Sequence, residues 1–200
     1  MYYYLSTRSS GRSLYSPVKH VPPGRNTSLW ITGLRSNVTC NALLKGVRKA
    51  GRVKHTHIYR PDAKNPTSCA AKLTFFSREA AERLYDQAMM GKFCVQGIRP
   101  AVLWNRSRTA NEPVRARSRV LRIQGPPEIV NKGFLEDFWA MFLYWATDEV
   151  VDVGEIADGV AVVWYSFGSW SAQAAVARRA LLACYGGSIT VTCEADPCEQ

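Results

Sequence analysis

The chain has 200 residues, of which 46% are hydrophobic and 21% charged, a composition that is ordinary for a globular protein. This length allows one large domain or two small ones. No apolar run reaches the roughly 18 residues that a membrane-spanning helix needs, so we expect no membrane partner.

The net charge of +10 is distributed unevenly along the chain. Residues 1–118 contain 21 Lys or Arg against 5 Asp or Glu, whereas residues 119–200 contain 5 against 11. A strongly basic half indicates a polyanionic partner, because Lys and Arg neutralise phosphates. The acidic half carries no such electrostatic signal.

Residues 1–27 are basic and lack apolar periodicity, and they predict a disordered basic tail. The start of the chain lacks the apolar segment of a secretory signal. Since it is rich in Ser and Arg and free of acids, a mitochondrial presequence is an alternative. The six cysteines form no CxxC pair, so we expect free thiols in an intracellular protein, nuclear or cytoplasmic.

Six elements are predicted in residues 28–105, which we assign to a first domain. In chain order they are a strand at Leu29–Leu34, a helix after the N-cap Thr39, strands at Val53–Tyr59 and Cys69–Phe76, a helix after the N-cap Ser77, and a strand at Arg99–Trp104. Their order, β-α-β-β-α-β, is the split-βαβ arrangement.

The same order recurs in residues 119–194, which we assign to a second domain. In chain order the elements are a strand at Arg119–Gly125, a helix from the N-cap Asn131 to about Ala146, strands at Val150–Glu155 and Val160–Phe167 joined by Ala157-Asp158-Gly159, a helix after the N-cap Ser169, and a strand at Ser188–Cys193. Residues 106–118 are assigned to an Arg-rich linker and residues 195–200 to a tail. We therefore expect an α/β (α+β) protein with two ferredoxin-like sandwiches in tandem.

The element order and the first strand, LWITGL, resemble the RNA recognition motif (RRM) family. The strand fits the family's RNP-2 signature, with Gly33 in place of the usual Asn. The RNP-1 signature aligns with Ser68–Phe75, where the inward residues are kept but the two outward rings are replaced by Ala70 and Lys72. The layout also resembles small fungal two-RRM proteins.

The resemblance implies that the first sheet binds single-stranded RNA by stacking bases on rings. The candidate RNA-binding residues of this sheet are Trp30, Thr32, His55, His57, Tyr59, Ala70, Lys72 and Trp104. Trp30 could instead pack under the terminal tail, Lys72 could be a solvated strand lysine, and Trp104 could belong to the core. The His55-x-His57 pair could ligate a metal, but no third ligand is suggested nearby, so we expect no metal.

The linker contributes four further candidates, Arg106, Arg108, Arg115 and Arg117. A flexible Arg-rich segment at a sheet edge can clamp phosphates or stack on bases. The alternative is an ordinary solvated linker.

The second domain is a weaker match to the family. Arg122 occupies the ring position of RNP-2, and Val162 and Trp164 occupy the two outward positions of the RNP-1-like strand. Its first helix, FLEDFWAMFLYW, is apolar all round. Its surplus rings pack in the core or form a second buried face, against the first domain or a partner protein.

The sequence contains no nucleophile elbow, Walker loop or HExxH motif, so we expect no enzyme, no cofactor and no small-molecule substrate. The leading hypothesis is single-stranded RNA binding by the first domain and the linker, with a structural or protein-contacting second domain. The alternative is a protein-interaction scaffold built from degenerate RRMs, which gives the second domain a protein partner.

Overall fold

A computed structural model describes residues 21–63 and 66–200 of the chain. It contains two four-stranded antiparallel sheets, each with its own hydrophobic core. The predicted α/β (α+β) fold of two tandem ferredoxin-like units, resembling RRMs, is confirmed by the order of the elements and of the strands. Within the described residues, every helix is too short or too polar to cross a bilayer.

The first unit has the strand order β2-β3-β1-β4. Its elements are β1 (Ser28–Arg35), α1 (Cys40–Gly46), β2 (Val53–Tyr59), β3 (Ser68–Phe75), α2 (Arg78–Met89) and β4 (Ala101–Trp104). Side chains alternate across β1, where Leu29 and Ile31 are fully buried while Trp30 and Thr32 are partly exposed. The outer face of this sheet is therefore the face that carries Trp30.

The second unit has the equivalent strand order β6-β7-β5-β8. Its elements are β5 (Val120–Gly125), α3 (Lys132–Ala140), β6 (Thr147–Ala157), β7 (Val160–Phe167), α4 (Ala175–Tyr185) and β8 (Thr190–Cys193). The predicted hairpin turn between β6 and β7 is present. Asp158 and Gly159 both have positive φ angles, 50° and 71°, as a type I′ turn requires.

Three of the four predicted N-caps are confirmed. The side chains of Thr39, Ser77 and Asn131 accept hydrogen bonds from backbone N–H groups three residues on, at 2.8–3.2 Å. The prediction for Ser169 was wrong, because this serine makes no side-chain cap bond to the π-helical turn Trp170–Ala174 that precedes α4. Its hydroxyl instead bonds to the first domain.

The helix α3 is shorter than predicted, since it ends at Ala140 rather than near Ala146. Trp139 is fully buried in the core of the second unit. Trp145 is held outside the helix, where its indole N–H donates to the hydroxyls of Tyr165 and Thr147 at 2.8 and 3.1 Å. The chain between these two rings therefore forms a loop, and Tyr144 on that loop is exposed.

The two units pack against each other along β2, the edge strand of the first sheet. The Ser169 hydroxyl accepts from the Thr56 N–H at 2.9 Å and donates to the Thr56 carbonyl at 3.1 Å. A Cβ atom on Gly168 would lie 2.8 Å from the Cys40 sulfur, so the close approach of the units requires a glycine there. This packing occupies backbone groups of an edge strand that would otherwise be open to another chain.

An ion cluster is buried at this boundary. The Arg119 guanidinium, 1% exposed, makes two bonds to the Asp196 carboxylate, at 2.8 and 3.1 Å, and one to Asp148 at 2.6 Å. Each carboxylate also binds the first domain, since Asp196 accepts from the Val53 N–H at 2.9 Å and Asp148 accepts from the Asn41 amide at 3.1 Å. Both domains thus share one buried charge cluster.

The assignment of residues 195–200 to a tail was wrong. Cys198 is 1% exposed and lies in the core of the first unit, and its carbonyl accepts from the Gly51 N–H at 3.0 Å. The Glu199 carboxylate pairs with Arg52 at 2.8 Å. Residues 195–200 are packed because their groups bond to residues 51–53, at and just before the start of β2. These contacts are far apart in sequence.

The predicted tail of residues 1–27 is also too long. Asn26 and Thr27 are buried, and the Asn26 side chain bonds to the Asn105 carbonyl and to the Ser28 and Thr109 N–H groups at 2.9–3.1 Å. Residues 21–27 therefore belong to the first unit. The rest of the predicted tail lies outside the described residues.

The packed C-terminal segment predicts a pattern of thiol reactivity. Burial, and next the neighbouring carboxylates of Asp148 and Asp196, raise the pKa values of Cys40 and Cys198 to about 12, so both thiols stay protonated near pH 8. Under native conditions we expect an aromatic disulfide reagent, which releases a coloured thiolate when it reacts, to label the exposed Cys94 and Cys184 quickly. Cys198 should react only after unfolding in urea. Labelling of Cys198 as fast as Cys94 would show that the segment is not packed.

Candidate nucleic-acid interface

One row of side chains crosses the outer face of the first sheet. Trp30 on β1 lies opposite Lys72 on β3 and Leu103 on β4, and Lys72 in turn lies opposite His57 on β2. Side chains directly opposite in neighbouring strands are close enough to interact. The row therefore combines an indole, an imidazole, an ammonium group and an exposed leucine on one surface.

Three rings on this face form a cluster, which we call the ring cluster (Trp30, His57 and Tyr59). The ring centroids of Trp30 and Tyr59 are 5.0 Å apart and those of His57 and Tyr59 are 4.5 Å apart, with interplanar angles of 54° and 74°. Both contacts have the tilted geometry that aromatic pairs favour. Tyr59 is nevertheless 43% exposed, so the cluster presents aromatic surface to solvent.

Ala70 makes the ring cluster possible. Trp30 and Tyr59 belong to β1 and β2, which are separated by β3, a distance of roughly 10 Å between strand axes. Ala70 lies directly opposite Tyr59 in β3 and has only a methyl group. The Tyr59 side chain can therefore extend over β3 to Trp30. The ring missing at Ala70 is replaced by a ring from the neighbouring strand.

Two pockets flank Trp30. One, of about 280 Å³, is lined by Tyr59, Ala70 and Thr32, with Arg60 and Asp62 at its rim. The other, of about 410 Å³, is lined by Thr32, Leu103, Trp104, Asn105 and Arg106. Trp30 therefore lines two open pockets, each with an arginine in its lining. This arrangement suits flat ligands that carry phosphate groups.

His55 lies at the edge of this surface rather than within it. His55 lies opposite Thr74 on β3, and Thr74 lies opposite Ser28 on β1. Thr74 and Ser28 are both buried, and their hydroxyls are 3.0 Å apart. Burial, and next the charge of Lys72, lower the pKa of His55, so its imidazole is neutral at pH 7. His55 thus adds a neutral ring beside the row and no positive charge.

Trp104, predicted for the RNA-binding face, packs largely on the inner side of the sheet, although it also lines the pocket beside Leu103. Trp104 lies opposite Leu29, an inward residue, and packs against the first core. The Tyr85 ring stacks on it at 5.3 Å, and the Arg78 guanidinium lies 3.5 Å from its ring centroid. The residue next to it, Leu103, faces outward instead. The parity of a four-residue edge strand could not be determined from its sequence.

Trp104 should therefore matter for stability and little for binding. We expect Trp104→Ala to lower the free energy of unfolding by about 2–4 kcal/mol, because its contacts with α2 are lost. Urea unfolding followed by circular dichroism measures this loss. RNA affinity of the folded variant, measured at low temperature, should stay within about twofold of the unchanged protein. A stable variant with weak RNA binding would return Trp104 to the binding face.

The linker arginines are not equivalent in the structure. Arg106 lies in the pocket beside Trp30. Arg108 donates to the Val21 carbonyl at 3.1 Å, and Arg117 pairs with Glu112 at 3.3 Å. Arg115 is exposed, with a φ angle of 46°. The linker is ordered, because Glu112 also pairs with Lys54 and its N–H bonds to the Phe76 carbonyl at 2.9 Å.

The outer face of the second sheet is less suited to stacking. Arg122 lies opposite Trp164, and its guanidinium is 5.5 Å from the ring centroid. The assignment of Val162 to an exposed position was wrong, since Val162 is 1% exposed. Val162 lies opposite Gln124 on β5 and Gly154 on β6. This face therefore offers one ring, already covered in part by a cation.

Comparison with known proteins gives matches among solved structures and none by sequence. No protein-family model matches the chain, and no curated protein matches it in sequence. Among solved structures it is similar to the RNA recognition domains 1 and 2 of Sex-lethal from Drosophila melanogaster, with 17% identity, coverage of 84% of this chain and 100% of that chain, and a TM-score of 0.32.

It is also similar to the first two RRM domains of the yeast poly(U) binding protein, with 12% identity, coverage of 84% and 99%, and a TM-score of 0.34. A third similar structure is the RNA binding domain of Hrp1 in complex with RNA, with 13% identity, coverage of 86% of this chain and 98% of that chain, and a TM-score of 0.32. At these identities and TM-scores the matches carry no conclusion about this chain. The RRM-like architecture of the chain rests on its own element and strand order.

Proposed function

We propose that the chain binds single-stranded RNA on the outer face of its first sheet. The observation that carries this proposal is the ring cluster, in which Tyr59 spans β3 to meet Trp30 while both rings keep exposed surface. Aromatic rings on a sheet of this topology are the surfaces on which splayed bases stack. A cluster of this kind has no packing role in the core beneath it.

Charge supports an anionic ligand at the same place. Lys72 lies between Trp30 and His57 in the row, and Arg60 and Arg106 border the pockets on the two sides of Trp30. Bases would stack on the rings while these cations hold the phosphates. Because every base has a flat face that can stack on a ring, we expect tolerant rather than strict sequence recognition.

The proposal is tested by fluorescence anisotropy with a labelled 12-nucleotide single-stranded RNA pool of randomised sequence. We expect saturable binding that weakens as salt is raised from 50 to 200 mM, because each phosphate contact adds about 0.7 to the slope of log affinity against log salt for single strands. Binding without salt dependence, or no binding, would refute it. A matched DNA pool shows whether the 2′-hydroxyl contributes.

A protein-contacting second domain is the second candidate function. Exposed aliphatic side chains alternate with acids along β6, where Val151, Val153 and Ile156 are each about half exposed. Such a strand favours a partner with apolar and basic groups. Recovery of a stoichiometric protein after nuclease treatment, lost in Val153→Glu, would support this role.

A further inference from the structure

We infer that the bound RNA strand continues from the ring cluster across the domain boundary, where Tyr144 of the second domain stacks on a further base. This inference rests on the proposed function and adds a second site to it. The site is a pocket of about 320 Å³ between β2 and the loop that follows α3. Its walls include His57, Ile58 and Arg60 from the first domain and Tyr144, Trp145 and Gln173 from the second.

The pocket is continuous with the ring cluster. His57 belongs to both, because its ring lies 4.5 Å from Tyr59 and also lines the pocket. Arg60 lines this pocket and also the one beside Trp30. Its guanidinium donates to the Val38 carbonyl at 2.8 Å, which holds it between the two. A strand that leaves Tyr59 along β2 therefore reaches the pocket past a positioned cation.

Tyr144 has no packing role in its own domain. It is 99% exposed, whereas its neighbours on both sides are held, Leu143 being 8% exposed and Trp145 bonded to Tyr165 at 2.8 Å. The loop therefore presents the phenol ring from a fixed backbone. A large ring left wholly in water contributes little to folding and is available to stack on a ligand.

The composition of the pocket favours a nucleotide. The described residues that line it supply rings, an imidazole, an amide and a guanidinium, and none of them is acidic. The second domain is acidic overall, so the pocket differs in charge from the domain that forms half of it. A base can stack on Tyr144 while Arg60 meets a phosphate.

The domains are held in the geometry that the site needs. The pocket borders Thr56, whose backbone is bonded at both N–H and carbonyl to Ser169, and the Arg119 cluster joins the same two domains. A prearranged pocket binds without the cost of ordering two linked domains. The second domain thus contributes to RNA binding through one loop rather than through its sheet.

The test compares labelled randomised single-stranded RNA pools of 4 and 12 nucleotides by anisotropy. We expect Tyr144→Ala to weaken binding of the 12-nucleotide pool about fivefold or more and to leave the 4-nucleotide pool unchanged. Tyr144→Phe should bind like the unchanged protein. Met141→Ala removes another exposed side chain just after α3, 73% exposed, and is the matched control that should alter neither affinity.

Unchanged binding of the 12-nucleotide pool by Tyr144→Ala overturns the inference and leaves the proposed function intact. Equal loss with both pools also overturns it, because Tyr144 would then not extend the site. Failure of the unchanged protein to bind either pool overturns the proposed function and this inference together. If Tyr144 instead contacts a second copy, sedimentation shows a dimer that Tyr144→Ala disrupts without a change in RNA affinity.

Discussion

Replacing Arg119 with alanine is expected to lower the free energy of unfolding by about 3–5 kcal/mol, the cost of breaking a buried ion pair by removing one partner. Arg119 is 1% exposed and forms ion pairs with two carboxylates. Its loss therefore leaves Asp148 and Asp196 buried without a cation. Although burial disfavours its charge, the carboxylates of Asp196 and Asp148 raise the pKa of Arg119 above its usual range. The guanidinium therefore remains charged at every pH at which the protein is studied.

The measurement is urea unfolding, followed by tryptophan fluorescence and circular dichroism. The unchanged protein should unfold in one transition, because the cluster joins the domains, and Arg119→Ala should separate the transitions of the two units. The matched control is Glu82→Ala, which removes the exposed i, i+4 pair with Arg78 and should cost about 0.5 kcal/mol or less. A loss below about 1 kcal/mol in Arg119→Ala would show that the cluster does not stabilise the boundary.

Replacing Trp30 with alanine is expected to weaken RNA binding by about 1–3 kcal/mol, which is roughly 5- to 150-fold. Trp30 lines both pockets and contacts Tyr59, so its loss removes a stacking surface shared by the two pockets. Tyr59→Ala should also weaken binding. Since the two rings touch, the losses should not add in the double variant.

Anisotropy titration with the 12-nucleotide pool measures these changes, and unfolding curves confirm that each variant is folded. Trp30→Phe should retain most of the affinity, because a phenyl ring still stacks. Trp164→Ala removes the corresponding kind of ring from the second sheet and should leave the affinity within about twofold. If Trp164→Ala weakens binding more than Trp30→Ala does, the second sheet is the main binding face.

The order of elements could be predicted from the sequence because its signals are local. Thr39, Ser77 and Asn131 cap helices within three residues of themselves, and the Asp158-Gly159 turn fixes its own hairpin. The outward position of Trp30 followed in the same way from alternation along one strand.

The domain boundary could not be predicted, because its partners are distant in sequence. Arg119 resembles the linker arginines that precede it, yet its carboxylates come from Asp148 and Asp196, 29 and 77 residues away. Cys198 lies in a core built largely from residues 29–102. No local pattern distinguishes a six-residue tail from a segment that fills such a core.

The candidate site was predicted in part. Alternation placed His57 and Tyr59 on one face of β2, but the contact between Tyr59 and Trp30 depends on the register that sets Ala70 opposite Tyr59. Tyr144 was assigned to a helix, since an apolar run does not show where a helix ends. The position of Trp104 could not be predicted because the parity of a four-residue edge strand depends on its pairing with β1, and the burial of Val162 does not follow from alternation.

Ultraviolet crosslinking of the full chain to the 12-nucleotide single-stranded RNA pool tests most directly whether the first sheet binds RNA. The crosslinked residues are identified by mass spectrometry. We expect crosslinks at Trp30, Tyr59 or His57, on the outer face of the first sheet. Crosslinks confined to the second sheet, at Arg122 or Trp164, would contradict it.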